Sequence, residues 1–136
     1  MTDRLAKLCE NVWFCFAVVC GISFLTVVLP VLIGGLHASG DLSVYLGFAQ
    51  EIRSAIEQGR YFPGWANDGL GYGSVGVRFY PPVGYYTSAL VSFVVGDWYA
   101  AVCVFLFVWM AVGCWGVFRL VREWNSPMWA LAAAGI

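Results

Sequence analysis

Charged residues are scarce in this sequence. Acidic and basic residues make up only 11% of the 136 residues, whereas 61% are hydrophobic and the mean hydropathy is +0.77. Soluble domains carry about 25% charged and about 45–50% apolar residues. There are too few charged side chains to cover a globule of this size, which excludes a soluble enzyme and a disordered segment. We therefore predict an integral membrane protein.

An excess of positive charge is also missing. Seven basic residues stand against eight acidic ones, so the net charge is -1 and no basic surface is available to attract nucleic acid. All five cysteines lie in or beside uncharged runs, and His37 is the only histidine. This distribution argues against a disulfide framework, and we interpret the cysteines as small helix-packing residues.

Long uncharged runs are what the sequence does have. The runs Val12–Leu36 and Trp98–Phe118 contain 25 and 21 residues, and each is long enough to cross a bilayer as a helix. Residues 81–96 form a shorter run of 16, interpreted as a second span or, alternatively, a re-entrant segment. Residues 128–136 are too few to cross and indicate a truncated fourth helix. The sequence thus predicts an all-α membrane bundle fragment with about three transmembrane helices.

The scarce charges are concentrated in the loop 37–80. This loop holds four of the eight acidic and three of the seven basic residues, so functional chemistry is expected here. Apolar residues at spacings of three and four predict an amphipathic helix over residues 42–58, lying along the membrane surface. Its apolar face comprises Tyr45, Phe48, Ala49, Ile52 and Ile56.

The ends of this surface helix carry recognisable signals. Asp41 or Ser43 is expected to cap its start, and Gly59 to end it. We place residues 1–11 in the cytoplasm and the loop outside, which predicts a multi-pass protein of the cytoplasmic (inner) membrane. A re-entrant 81–96 segment or the reverse orientation are the alternatives, since this arrangement puts more basic residues outside than inside.

Glycine and aromatic residues dominate the rest of the loop. Residues 71–76 match the pattern G-x-G-x-x-G, but a dinucleotide site also needs a strand before it and a helix after it. The sequence continues instead as Val-Arg-Phe-Tyr-Pro-Pro, which is typical of extended chain. We therefore interpret this stretch as a loop with tight turns.

Four short motifs in this region carry a family resemblance. They are Gly40-Asp41, the segment Gln58-Gly-Arg-Tyr-Phe-Pro-Gly-Trp65, Gly71-Tyr-Gly73, and Phe79-Tyr-Pro-Pro-Val-Gly-Tyr-Tyr86. Over residues 12–95 the chain resembles the start of the large 6-pyruvoyl-tetrahydropterin-synthase-related membrane proteins of bacteria and archaea. That family is similar to the GT-C superfamily of lipid-sugar-dependent glycosyltransferases. The resemblance implies a GT-C-like helical bundle, of which this chain is the N-terminal portion.

The resemblance also implies a catalytic residue. GT-C enzymes place an acidic residue just after the first span, where it acts as general base or helps to hold a divalent metal ion. Asp41 matches this position, which makes Mg²⁺ or Mn²⁺ a candidate cofactor. The family's Gly-His-Asp-x-x-x-His context is not kept, because Gly40 and Tyr45 replace the two histidines.

Candidate substrate-binding residues lie further along the loop. Arg60 and Arg78 suit a lipid-linked phosphate, and Trp65 and Tyr80 can stack on a sugar. These three residue types also anchor proteins at lipid headgroups. The expected partners are membrane lipid, a lipid-linked sugar donor and the missing C-terminal part of the protein. The predicted function is sugar transfer from a polyprenyl-phosphate donor at the outer membrane face. The alternative is a non-catalytic membrane scaffold or degenerate relative of the family.

Overall fold

A computed structural model describes residues 8–36, 40–61 and 82–135 of the chain. Helices account for 86% of these residues and no β-strand occurs among them, so the all-α prediction is confirmed for this part of the chain. The chain divides into two compact units. One lies within Met1–Gly35 and Leu106–Ile136, and the other within Leu36–Phe105.

In chain order, the described residues contain the following helical elements. Beyond a helical turn at residues 8–10, they are α1 (Val12–Ser23), a π-helical segment (Phe24–Val28), α2 (Leu29–Gly34), α3 (Asp41–Glu57), α4 (Pro82–Val95), α5 (Trp98–Arg122) and α6 (Pro127–Ala134). The π-helical segment joins α1 to α2 without a break, so Val12–Gly34 is one helical stretch of 23 residues.

Two helical stretches in the described part of the chain are long and apolar enough to cross a membrane. They are Val12–Gly34 and α5, with 23 and 25 residues. Only 11% and 28% of their most apolar windows are buried, whereas a core helix of a soluble protein is mostly buried. The apolar helix α4 has 14 residues, or about 21 Å at 1.5 Å per residue, less than the roughly 30 Å of a hydrocarbon core.

The first unit packs around cysteine side chains. Cys9, Cys15 and Cys114 are buried together with Phe118, and the Cys15 thiol donates a hydrogen bond of 3.1 Å to the Cys9 carbonyl oxygen. The five cysteines are free thiols. Thiols in this setting act as small apolar side chains that let helices approach, as the sequence interpretation expected.

The second unit is built on the contact between α3 and α4. Phe48, Ala49 and Ile52 of α3 form a buried cluster with Tyr85 and Ala89 of α4. Burying a side chain as large as Ile52 stabilises the unit by about 1.5–3 kcal/mol. These residues of the apolar face therefore pack against α4, while the position of α3 along the membrane surface stays a prediction.

The ends of α5 show why its predicted and observed lengths differ. Asp97 accepts a hydrogen bond of 2.8 Å from the Ala100 backbone N–H, which starts the helix. The sequence prediction stops at Phe118 because Arg119 is charged, but the helix continues to Arg122. Arginines in a last turn interact favourably with the partial negative charge of the terminal carbonyl groups, so they extend the helix.

Candidate functional site

Asp41, the predicted catalytic residue, is the first residue of α3 and its side chain is exposed. The residue before it is Gly40, which has φ +58° and acts as the N-cap without a side-chain hydrogen bond. The expectation that Asp41 or Ser43 caps this helix is therefore wrong. The Ser43 hydroxyl instead donates a hydrogen bond of 2.7 Å to the Gly40 carbonyl oxygen.

The Asp41 carboxylate therefore does not cap the helix. It makes no hydrogen bond or ion pair with another residue in the described part of the chain. Its position beside the free N–H groups of the first turn favours a negative charge, because the helix macrodipole is positive there. A solvent-facing carboxylate of this kind can accept a proton from a bound hydroxyl group.

Arg60, a predicted substrate-binding residue, lies just beyond the other end of α3. Gly59 has φ +75°. Its N–H donates to the Ile56 carbonyl oxygen, and the Arg60 N–H donates to the Ala55 carbonyl oxygen over 2.8 Å. These bonds form a Schellman motif, so Gly59 ends the helix as predicted.

The guanidinium of Arg60 keeps its charge available. It donates a hydrogen bond of 2.7 Å to the amide oxygen of Gln58, which is a neutral partner. Arg53, by contrast, pairs with Glu57 at 3.1 Å and lies over the Phe93 ring. The Arg60 side chain is therefore the better anion-binding candidate of these two arginines.

Asp41 and Arg60 are not brought together. They stand at opposite ends of the 17-residue helix α3, about 25 Å apart along its axis at 1.5 Å per residue. Side chains of this length cannot close such a gap. The two residues therefore cannot act on one reacting group at the same time.

An apolar cleft that the sequence reasoning missed lies near the Arg60 end of α3. Its volume is about 540 Å³, which falls within the usual range for ligand sites. It is lined by Ile56, Tyr61, Pro82, Val83, Tyr86, Thr87 and Leu90. The α4 members recur at spacings of three and four residues, a pattern that could have indicated a common face in the sequence.

Two hydroxyl groups in the wall of this cleft donate hydrogen bonds to backbone carbonyl oxygens. The Tyr86 hydroxyl donates to the Tyr61 carbonyl oxygen over 2.5 Å, and the Thr87 hydroxyl donates to the Val83 carbonyl oxygen over 2.7 Å. Because these hydroxyl groups already have hydrogen-bond partners, a ligand in the cleft does not need to supply any. The cleft is therefore suited to a hydrocarbon chain.

The remaining candidates from the sequence lie outside the described residues. These are Trp65, Arg78 and Tyr80, together with the single histidine, His37. Their predicted roles stay predictions.

The described residues do not form a metal site. No group of three or more His, Cys, Asp or Glu side chains suited to a metal ion occurs among them. Mg²⁺ usually keeps several waters and is held by one or two carboxylates together with substrate phosphates. Among the described residues Asp41 supplies one carboxylate, which could hold Mg²⁺ or Mn²⁺ only together with other groups, so no step below is assigned to a metal.

Comparison with known proteins adds no relative. No protein-family model matches the chain, and no match was found among curated proteins or solved structures. Function is therefore inferred from the residues and their geometry.

Proposed function

We propose that this chain is the N-terminal part of a polytopic glycosyltransferase of the cytoplasmic membrane. It transfers a sugar from a polyprenyl-phosphate donor to an acceptor at the outer membrane face. The observation that carries the proposal is the placement of Asp41. Its exposed carboxylate, which has no hydrogen-bond partner among the described residues, lies on the first residue of α3, seven positions after the first membrane-length helix ends at Gly34.

In this reaction the Asp41 carboxylate acts as general base. It takes the proton from an acceptor hydroxyl, whose oxygen forms a bond to the anomeric carbon of the donor sugar. The bond between that carbon and the phosphate oxygen breaks, and polyprenyl phosphate leaves with the electron pair. Attack from the opposite face inverts the anomeric centre. General base catalysis of this kind contributes about 10²- to 10⁴-fold to a rate.

The apolar cleft supports a lipid-linked donor. Its 540 Å³ and hydrocarbon-like lining suit part of a polyprenyl chain, which is long enough to extend away from the transferred sugar. The donor phosphate itself adjoins that sugar, and Arg60 lies about 25 Å from Asp41 along α3. In this proposal Arg60 therefore binds phosphate groups of bilayer lipids beside the cleft, and the donor phosphate is left to residues such as Arg78.

A second candidate is a non-catalytic membrane scaffold. The observation that favours it is the isolation of Asp41. The next acidic residue of α3 is Glu51, ten positions on and about 15 Å away. A lone carboxylate on a packed pair of helices is also what a scaffold derived from an enzyme would retain.

The experiment that separates the two candidates uses the full-length protein in membranes. Radiolabelled polyprenyl-phosphate sugars are supplied as a panel, and loss of label from the lipid fraction is measured for wild type and Asp41→Asn. The expected result is transfer by the wild type and a loss of at least about 100-fold in the variant. Glu51→Gln is the matched control, since it removes a carboxylate from the same helix and should leave transfer unchanged.

Two results would overturn the assignment. Transfer that survives in Asp41→Asn at normal expression would remove Asp41 from catalysis. Absence of transfer by the wild type across the panel would favour the scaffold.

A further inference from the structure

The helices α1 and α5 run in opposite directions within the first unit. The guanidinium of Arg122, the last residue of α5, donates a hydrogen bond of 3.5 Å to the carbonyl oxygen of Glu10, just before α1 begins. Further along α1, the Phe16 ring meets that of Trp115, seven positions earlier in α5, with centroids 5.3 Å apart. The start of Val12–Gly34 and the end of α5 therefore lie at the same face of a bilayer that both helices cross.

The other ends of these two helices lie at the opposite face. The first stretch ends at Gly34, and α5 begins at Trp98. Asp97, directly before it, is exposed and caps α5, and because a charged residue is costly in the hydrocarbon core it marks the membrane surface. The chain between Gly34 and Trp98 thus leaves and re-enters the bilayer at one face, so it crosses the bilayer an even number of times.

A crossing by α4 would need a second crossing to accompany it. That crossing would have to lie within residues 35–78, where no run without a charged residue exceeds nine residues. Nine residues span about 14 Å as a helix, less than half of a hydrocarbon core of roughly 30 Å. The even number is therefore zero, and both ends of α4 lie at the same face.

The basic residues assign that face. With the N-terminus in the cytoplasm, this arrangement leaves four basic residues inside and three outside, whereas a crossing by α4 would leave two inside and five outside. The four are Arg4, Lys7, Arg119 and Arg122, and the three are Arg53, Arg60 and Arg78. The positive-inside rule favours the first distribution, which places both ends of α4 at the outer face.

The helix α4 is apolar on the side that α3 does not cover. Its buried side packs against α3 through Tyr85 and Ala89. On the other side Val83, Leu90 and Val94 recur at helical spacing and are 59%, 55% and 88% exposed. The whole helix has no charged residue. An uncovered apolar face on a helix at a membrane surface is suited to insertion among lipid acyl chains.

We propose that α4 is an interfacial helix of the outer leaflet, whose face of Val83, Leu90 and Val94 contacts lipid acyl chains. Only Gly96 and Asp97 separate α4 from α5, so this face lies where a membrane-crossing helix enters the bilayer. That location favours lipid over a second protein as its partner. The proposal is independent of glycosyl transfer and requires only that Val12–Gly34 and α5 cross the bilayer.

The first test maps the membrane face of three introduced thiols in the full-length protein. Ser54→Cys lies in α3, Ala100→Cys in the first turn of α5 and Ser126→Cys between α5 and α6, and all three positions are exposed. A charged maleimide that cannot pass membranes is applied to right-side-out and to inverted vesicles, and peptide mass spectrometry separates these thiols from the five native ones. The first two should be labelled only in right-side-out vesicles, and Ser126→Cys only in inverted vesicles.

The second test identifies what covers α4 in the wild type. A phospholipid with a photoreactive group in its acyl chain is added to the membranes, and its adducts are located by mass spectrometry. An adduct at Val94 is expected, and it is informative because Val94 does not line the apolar cleft. Val112 of α5 is 57% exposed in the middle of that helix and provides the positive control. Ser54 in α3 should remain without an adduct.

Each alternative outcome contradicts the proposal. Labelling of Ser54→Cys and Ala100→Cys from opposite faces would show that α4 crosses the bilayer, and labelling of both only in inverted vesicles would place α4 at the cytoplasmic face. A thiol at either position that is labelled from neither face would not lie at the surface. Lipid adducts at Val112 but not at Val94 would show that water or another protein covers this face of α4.

Discussion

The Tyr86 hydroxyl donates a hydrogen bond of 2.5 Å to the backbone carbonyl oxygen of Tyr61. This bond joins the first half of α4 to the chain just beyond α3, across 25 positions in the sequence. Both residues line the apolar cleft, so the bond also sets the position of part of its wall. A long-range contact of this kind depends on the packing of α3 against α4.

Removing this hydrogen bond should loosen the second unit. We expect Tyr86→Phe to lower the free energy of unfolding by about 1 kcal/mol, because the ring still packs and only the hydroxyl is lost. The measurement is thermal unfolding of the purified protein in detergent. Tyr99→Phe removes a hydroxyl from a residue that is 63% exposed and should shift stability much less. Equal effects of the two variants would argue against a structural role for the Tyr86–Tyr61 bond.

Replacing Gly47, inside α3, and Gly59, just beyond its C-terminal end, by alanine should change the free energy of unfolding in opposite directions. Gly59 has φ +75°, and a side chain in this left-handed conformation costs about 1–2 kcal/mol, so Gly59→Ala should destabilise the protein. Gly47 lies inside α3 with open space around its Cβ position. There Gly47→Ala should stabilise the helix by about 0.5–1 kcal/mol.

Chemical unfolding of the two variants provides the comparison. Because the substitution is the same in both, the sign of the difference reports the backbone conformation alone. A stabilising Gly59→Ala would contradict the Schellman ending of α3.

Filling the cleft should reduce lipid binding. Leu90 lines the cleft, and Leu90→Trp adds a ring that occupies part of its volume. Native mass spectrometry after mild detergent extraction should then find fewer lipid molecules retained per chain. Val94→Trp is the matched control, since Val94 lies one turn further along α4, is 88% exposed and is not part of the lining.

The same lipid-retention measurement distinguishes the contribution of the cleft from that of Arg60. Arg60→Gln should lower the retention of anionic lipids while leaving neutral lipids bound, because it removes a charge and no apolar surface. Unchanged lipid retention in both Leu90→Trp and Arg60→Gln would leave the cleft without a lipid-binding role.

Much of the helical architecture could be predicted from local patterns. The spacing of Phe48, Ala49 and Ile52 indicates one apolar face, and the turn after Glu57 follows from Gly59. The i, i+4 pair of Arg53 and Glu57 is present as well. These features depend on residues within a few positions of one another, which is why sequence alone suffices for them.

The start of α3 shows where local reasoning fails. Asp41 and Ser43 are both good capping residues, yet the chain enters α3 through Gly40 with a positive φ, and neither side chain serves as the cap. Several capping arrangements have similar energies, so a local pattern does not choose among them. As a result the Asp41 carboxylate makes no capping hydrogen bond, and its proposed role as general base depends on that.

The sequence by itself determined that the described part of the chain is helical and that its long apolar runs lack charged residues. Both follow from hydrophobic periodicity and composition, which are local properties of the sequence. Only the tertiary structure decided what covers the apolar face of α3, since α4 competes with lipid for that surface. The separation of Asp41 and Arg60, by contrast, already follows from the helix predicted over residues 42–58, because that helix places the two residues at its opposite ends. Distances between residues far apart in the chain follow from packing, and packing is a property of the whole unit.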